Sequence, residues 1–224
     1  MVLANHAVSR GASMEAPPIP VTVPTPDSVF HTDNYGNSIA IDGDTLVVGA
    51  PWTTVNGLEQ QGVAYIFTRN PNDPTGFTLL KSVTGGDSGK FHAFGWSVAL
   101  DGDTLVIGTG NHGNITFTGA AYVFQRNQGG ENQWGEVKKL VRADGRFTYF
   151  GRTLAIHADT IVVGAPLGLG QVFIHQRNQD GDNQWGKTQM LDGGIPITTT
   201  PKSASFGEAI AFDGVKLVIS APKI

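Results

Sequence analysis

The stretch FGWSVALDGDTLVIG, residues 94–108, decides the fold because the chain writes it four times. The other copies are YGNSIAIDGDTLVVG at 35–49, FGRTLAIHADTIVVG at 150–164 and FGEAIAFDGVKLVIS at 206–220. Their opening aromatics, Tyr35, Phe94, Phe150 and Phe206, stand 59, 56 and 56 residues apart. Each copy closes on small residues: Gly49-Ala50-Pro51, Gly108-Thr109-Gly110, Gly164-Ala165-Pro166 and Ser220-Ala221-Pro222. A unit of this size cannot bury a core of its own and must stack on its neighbours.

Working outward from that stretch, Ser97–Leu100 and its counterparts alternate apolar and small residues with period two, which predicts a strand. Asp42-Gly43, Asp101-Gly102 and Asp213-Gly214 then predict tight type I′ reversals, with a looser or different turn at His157-Ala158. A second strand follows at Thr45–Val48, Thr104–Ile107, Thr160–Val163 and Lys216–Ile219, apolar enough to be buried on both faces. A third starts at Gly62, Gly119 and Gly170 and runs to Arg69-Asn70, Arg126-Asn127 and Arg177-Asn178. A fourth, more polar strand lies near Phe77–Val83, Trp134–Val141 and Trp185–Leu191, as suits an outer edge. The fold class is all-β, a β-propeller of four-stranded antiparallel blades, with about 3.5 to 4 blades in this chain.

The Phe-Gly openings, the Gly-Ala-Pro signatures and the Gly-x-x-Tyr-x-Phe strands resemble the FG-GAP repeat, the blade unit of integrin α-subunit propellers and of many bacterial surface proteins. The resemblance covers roughly residues 35–222 and divides the chain into blade 1 at 35–93, blade 2 at 94–149, blade 3 at 150–205 and the first half of blade 4 at 206–224. Residues 1–34 are expected to supply outer strands, with Pro20–Pro24 in the place of a fourth strand. That arrangement would close a four-bladed ring. The alternatives are a fragment of a longer protein, or two chains meeting in a larger ring by self-association. The resemblance also implies adhesion or surface recognition at an extracellular or cell-surface address. The N-terminus lacks the basic and apolar regions of a signal peptide, so the chain either stays inside the cell or is part of a longer precursor.

Composition narrows the partners. With 40% hydrophobic residues, 30 glycines and 15% charged residues, the chain reads as a turn-rich folded domain. A formal charge of −4 with no Lys/Arg cluster argues against nucleic acid, and no apolar run is long enough for membrane insertion. Without cysteine there are neither disulfides nor thiolate metal ligands. Integrin-type repeats often carry a calcium loop between the first two strands. The turns here are too short to wrap an ion that wants six to eight oxygens, so no cofactor or metal is expected there. Asn178, Asp180 and Asp182 place oxygens at alternate residues and form a weaker calcium candidate.

No catalytic constellation is legible. Gly86-Asp87-Ser88-Gly89-Lys90 is similar to an active-serine sequence but lacks its context, and reads as a flexible linker between blades. The six histidines show no ligand spacing; His175 replaces Phe124 of the sister strand and reads as a packing residue. Ser38, Ser97 and Thr153 cannot act as general acid or base near neutral pH. Trp134 and Trp185 fall at equivalent positions and read as packing anchors, whereas Trp52 and Trp96 do not repeat. Loops between second and third strands and between blades share one face and vary most, which is where binding is placed on a rigid frame. The candidate ligand-binding residues are therefore Trp52, Glu59, His92, His112, Asn114, Arg146, Phe147 and Tyr149. The expected function is a non-enzymatic module that binds protein or glycan through that face. A structural spacer within a larger surface protein, and then a propeller enzyme such as a lyase or hydrolase, are the alternatives.

Overall fold

Alternating runs bury one side against a neighbour and pair edge to edge. The computed structural model, which describes residues 21, 23–27, 29–110, 118–146, 148–168, 170–181, 184–193 and 205–222, shows how. Blade 1 is β1 (Ser38–Asp42), β2 (Thr45–Ala50), β3 (Val63–Asn70) and β4 (Asp73–Val83). Blade 2 is β5 (Phe94–Asp101), β6 (Thr104–Thr109), β7 (Ala121–Gln125) and β8 (Gly135–Leu140). Blade 3 is β9 (Thr153–His157), β10 (Thr160–Ala165), β11 (Gln171–Arg177) and β12 (Trp185–Leu191), and β13 (Ile210–Phe212) pairs with β14 (Leu217–Ile219). Each of the first three sheets is an antiparallel meander in chain order; the fourth has two strands among the described residues. Apart from a 3-10 turn at His31–Asp33, these residues hold no helix.

The first hairpins correct the turn expected from the sequence. Asp42 pairs with Thr45 and Asp101 with Thr104, so the aspartate ends the strand and the loops are Gly43-Asp44 and Gly102-Asp103. Only the glycine takes positive φ, +52° and +55°, the pattern of a type II′ turn rather than type I′. The third copy is no looser: His157 pairs with Thr160, and Ala158 is forced to φ +48° in the glycine position. In the fourth, Phe212 pairs with Leu217 across a longer loop, ordered by Asp213 Oδ1, which accepts from the amides of Val215 at 2.9 Å and Lys216 at 2.6 Å.

Every blade has a broad face and a narrow face. Blade 2 lays Phe94, Leu105, Ile107, Tyr122, Phe124 and Trp134 on Val47, Ala64, Ile66 and Val83 of blade 1. Blade 3 lays Phe150, Ile161, Val163, Phe173 and Trp185 on Val106, Ala121, Val123 and Leu140 of blade 2. Ile210, Phe212, Leu217 and Ile219 then cover Val162, Val172 and Leu191 of blade 3. Trp134 and Trp185 are buried packing anchors, each under a guanidinium, Arg126 at 4.7 Å and Arg177 at 4.8 Å. Among the described residues, the cluster on the broad face of blade 1 is packed by Val21, Val23 and Val29. Val21 and Val23 belong to no strand; residues 1–20 and 22 lie outside the described residues.

Two hydrogen-bonded ties recur at the junctions. Ser38, Ser97 and Thr153 donate their hydroxyls to the carbonyls of Gly95, Gly151 and Gly207 in the next blade, at 2.8, 2.6 and 2.6 Å. A Cβ on Gly49 or Gly108 would overlap those same carbonyl oxygens, so the approach requires glycine. At the hairpin end, Asp42 accepts from the Gly102 amide at 2.6 Å and Asp101 from the Ala158 amide at 2.5 Å. The arginine closing each third strand pairs with the turn aspartate: Arg69 with Asp44, Arg126 with Asp103 and Arg177 with Asp159, at 2.8, 2.5 and 2.7 Å. Arg126 and Arg177 also donate to Thr45 and Thr104 of the preceding blade.

Position 175 carries a histidine in an aromatic place. His175 is buried edge-on to Phe150, and its Nδ1 has no hydrogen-bond partner among the described residues. Burial, with Lys187 and Lys138 adding to it against Asp180, pushes its imidazole down from 6.5 to about 4. An unfolded histidine takes a proton below pH 6.5 while the folded one stays neutral to about pH 4. The unfolded state therefore binds more protons in that window, and stability is lost as pH falls through it. At about 1.36 kcal/mol per pH unit the 2.5-unit gap amounts to roughly 3 kcal/mol by pH 4.

Urea unfolding of His175→Phe should show most of this loss removed between pH 7 and 4; an unchanged pH profile would assign the acid sensitivity elsewhere. Ala158→Gly is expected to raise stability by about 1 kcal/mol at unchanged m-value, since it relieves positive φ. Gly108→Ala should cost about 2–3 kcal/mol by forcing the second junction apart. A neutral result in the same unfolding series would show that the junction yields freely.

Candidate functional site

Loops leaving the second strands and connections entering the first strands meet on one face. Backbone bonds make the meeting explicit: Phe91 N donates to Glu59 O at 2.9 Å, Ala93 N to Gln60 O at 2.9 Å and Leu167 N to Thr148 O at 3.1 Å. The expected candidates fall in separate places on it. Glu59 pairs with Lys90 at 3.0 Å and His92 accepts from the Gly89 amide at 2.8 Å, both at the junction of blades 1 and 2. Arg146 is exposed, 3.7 Å from Asp144, and the Tyr149 ring lies under the Arg152 guanidinium at the junction of blades 2 and 3. Trp52 is half-buried in front of blade 1, its amide donating to Asp33 O at 3.1 Å. His112, Asn114 and Phe147 lie outside the described residues.

The connection at 84–93, expected to be a flexible linker, is tied to blade 2 by side chains. Asp87 accepts from Tyr122 Oη at 2.8 Å and Lys139 Nζ at 2.6 Å, and Glu136 accepts from the Gly86 amide at 2.7 Å. Gln61 donates to Ser88 O and Oγ, at 2.7 and 3.0 Å. Burial raises the Asp87 carboxyl, but the bonds from Lys139 and Tyr122 outweigh it and hold the group below its usual range. Burial, then Asp87, pushes the Tyr122 phenol up, and burial with Lys139 pushes His92 down. These groups are held in structural pairs.

A feature missed in the sequence lies nearer the inner strands. The residue after each Phe-Gly glycine points along this face, so Asn37, Trp96, Arg152 and Glu208 form a row across the blades. Asn37 Nδ2 donates to Trp96 O at 2.7 Å. The Arg152 guanidinium stacks over Trp96 at 4.6 Å and over Tyr149 at 5.3 Å, and its Nε lies 3.7 Å from Glu208. The Trp96 indole covers Gly110, where any Cβ would overlap it. That explains why the second copy has Gly110 where the others have Pro51, Pro166 and Pro222. The signal was present as a column of four unlike residues at one repeat position, with an unusual glycine beside the tryptophan.

At the junction of blades 2 and 3 is a hollow of about 330 Å³ lined by Arg142, Arg146, Thr148, Leu167, Gly168 and Gln171. Arg142 is buried and bonds Asp144 and Gln171; its hydrogen bonds hold the Asp144 carboxyl well below the usual carboxylate range. A groove of about 600 Å³ on the hairpin face is lined by Asp103, Arg126, Asp159 and Arg177, already paired with one another. Of the calcium candidates, Asp180 Oδ2 faces Lys138 Nζ at 3.5 Å, and Asp182 lies outside the described residues. Among the described residues no three His, Cys, Asp or Glu side chains gather as metal ligands.

Comparison with known proteins bears on the repeat. Residues 25–67, 77–124 and 134–181 match the model of the FG-GAP repeat. The last two matches open on the outermost strand of the preceding blade, at Phe77 in β4 and Trp134 before β8, and the first opens in the segment that covers blade 1. A comparison with curated protein sequences returned no match. Among solved structures, the computationally designed Ika4 protein is 16% identical at TM-score 0.50, over 86% of this chain and 88% of that one. Sqt1 from Chaetomium thermophilum is 15% identical at TM-score 0.50, over 84% of this chain and 42% of that one. At such identities the likeness speaks for the fold alone. Three matched repeats that cover more than half of the sequence, laid down as successive four-stranded blades, show that the chain belongs to the FG-GAP repeat family and is built as a β-propeller of such blades.

Proposed function

We propose that the protein is a non-enzymatic binding module that engages a protein or glycan ligand through the loop face, in adhesion or surface recognition. The family is generally non-enzymatic and typically found in extracellular proteins, which supports the class. The observation that carries the reading is the Trp96–Arg152–Tyr149 stack. Strand interiors repeat from blade to blade, whereas this row changes identity at each blade while the frame beneath it does not. Aromatic rings held by a guanidinium present a flat apolar surface with donors at its edge, which suits the face of a sugar or an extended peptide. Asn37 and Glu208 add a polar amide and a carboxylate at the two ends of the row.

Binding of the whole chain to immobilised neutral and acidic polysaccharides and to cell-surface proteins tests this. Tyr149→Ala should lower the affinity of any ligand found by tenfold or more with little change in unfolding midpoint. Asn72→Ala, exposed on the opposite hairpin face, should leave it unchanged. Equal loss in both variants, or no loss in the first, would remove the loop face as the site.

A further inference from the structure

The described arginines differ in how their guanidinium donors are used. Arg69, Arg126, Arg142 and Arg177 each donate to an aspartate and to a second oxygen, from a turn carbonyl, a threonine or a glutamine. Arg152 is held by rings instead. Its guanidinium lies 4.6 Å from the centroid of the Trp96 ring and 5.3 Å from that of Tyr149. Its Nε is 3.7 Å from Glu208, well beyond the roughly 2.7–2.9 Å of a charge-assisted hydrogen bond. Neither Nη donates to any group among the described residues. Stacking orients a guanidinium without engaging its N–H donors, so this fork is set in place and unused.

The neighbouring charges favour an anion. At the same junction of blades 2 and 3, Arg142 holds Asp144 through its own bonds, and Arg146, 71% exposed, approaches that carboxylate at 3.7 Å. Two guanidinium groups thus face one carboxylate. Trp96 is committed to Gly110 and Arg152, which leaves the half-buried Tyr149 as the ring beside the fork. A planar fork next to an aromatic ring suits a carboxylate joined directly to a ring of its own. A uronate sugar has that form, with its carboxylate one bond from a pyranose whose C–H face packs on an aromatic. The carboxylate of an acidic peptide sits on a flexible stem without such a face, and its backbone brings N–H and C=O groups that need partners.

We infer that Arg152 is the carboxylate-binding residue of the loop face and that its ligand is a uronate-bearing polysaccharide, with Tyr149 against the sugar ring. This rests on the loop-face reading above and narrows its ligand to an acidic glycan. Glu208 works against the ligand, because it brings a like charge to the guanidinium without bonding it. The chain carries a formal charge of −4, so acidic polymers are not drawn to it in general, and binding must come from this site.

Titration of the full chain with polygalacturonate, polymannuronate, their carboxyl-reduced forms and polyglutamate tests this. At least one uronate polymer should bind, and its reduced form should bind about tenfold more weakly. Arg152→Gln should weaken uronate binding about tenfold, and Arg152→Lys should not restore it, since an ammonium keeps the charge but not the fork. Glu208→Gln should tighten binding about threefold. That change leaves the ring stack in place, so it decides the matter even if circular dichroism shows the Arg152 variants unfolded. No binding of either uronate polymer, equal binding of the reduced form, preference for polyglutamate, or weaker binding by Glu208→Gln would each overturn the proposal. Equal binding of the reduced form with loss in Tyr149→Ala would leave the loop face standing as a site. Binding untouched by Tyr149→Ala and Arg152→Gln alike would remove that face as well.

Discussion

The bond from a first-strand hydroxyl to the carbonyl of the next blade's Phe-Gly glycine sets the distance at which the blades stack. Ser38, Ser97 and Thr153 each make it, across a glycine that has no Cβ to hold the backbones apart. With that approach fixed, the aromatic just before the accepting glycine is carried into the seam between blades. Phe94 then packs edge-on against Tyr122 and Phe124, and Phe150 against Phe173. Longer or bulkier residues at either partner would separate the faces and leave a polar group buried without its bond, a cost that falls on the whole junction. The repeated letters of the sequence are therefore largely the parts of one interface rather than of one blade.

The opposite end of each blade is tied by charge. The turn aspartate, the arginine that ends the third strand and the aromatic of the fourth form one unit, and the guanidinium reaches a threonine of the blade before. These pairs are partly exposed, so their net electrostatic worth is small, and their value lies in fixing how one hairpin sits on the next. The junction of blades 3 and 4 departs from the pattern. His157 stands where Asp42 and Asp101 accept an amide, and its ring packs on Gly214 and edge-on to Phe212 instead. That junction keeps the hydroxyl tie of Thr153 but exchanges a carboxylate–amide bond for a ring contact.

Periodicity made the strands and the blades legible because both depend on patterns repeated at short and fixed spacing. The hairpins were misread by one residue for a related reason. Asp-Gly is the familiar turn pair, but the alternation in the strand continues through the aspartate, and strand parity wins over local turn preference. Thr84–Ala93 looked like a linker because of its glycines and serine, while the residues that hold Asp87 within it, Tyr122 and Lys139, are 35 and 52 residues further along the chain. A single sequence offers no sign of such a bond. His175 was legible as a packing residue because its sister strand has Phe124 there, although the cost of burying an imidazole appears only with its neighbours in place.

The candidate row at Trp96 was the least legible part in the sequence. Variation in loop length pointed to Trp52, Glu59 and His92, which the structure finds in local pairs or half-buried. The Trp96 row varies in identity at constant length, on a position fixed by the frame to within one residue. A loop that changes length loses its reference to the fold, whereas a residue next to the Phe-Gly glycine is held in place by the same bond that spaces the blades. Trp96 is paired with Gly110 at one point of the repeat, and Arg152 answers it from the next blade. The frame thus fixes where these side chains sit without fixing what they are, and that freedom lets one blade architecture present different surfaces on the same face.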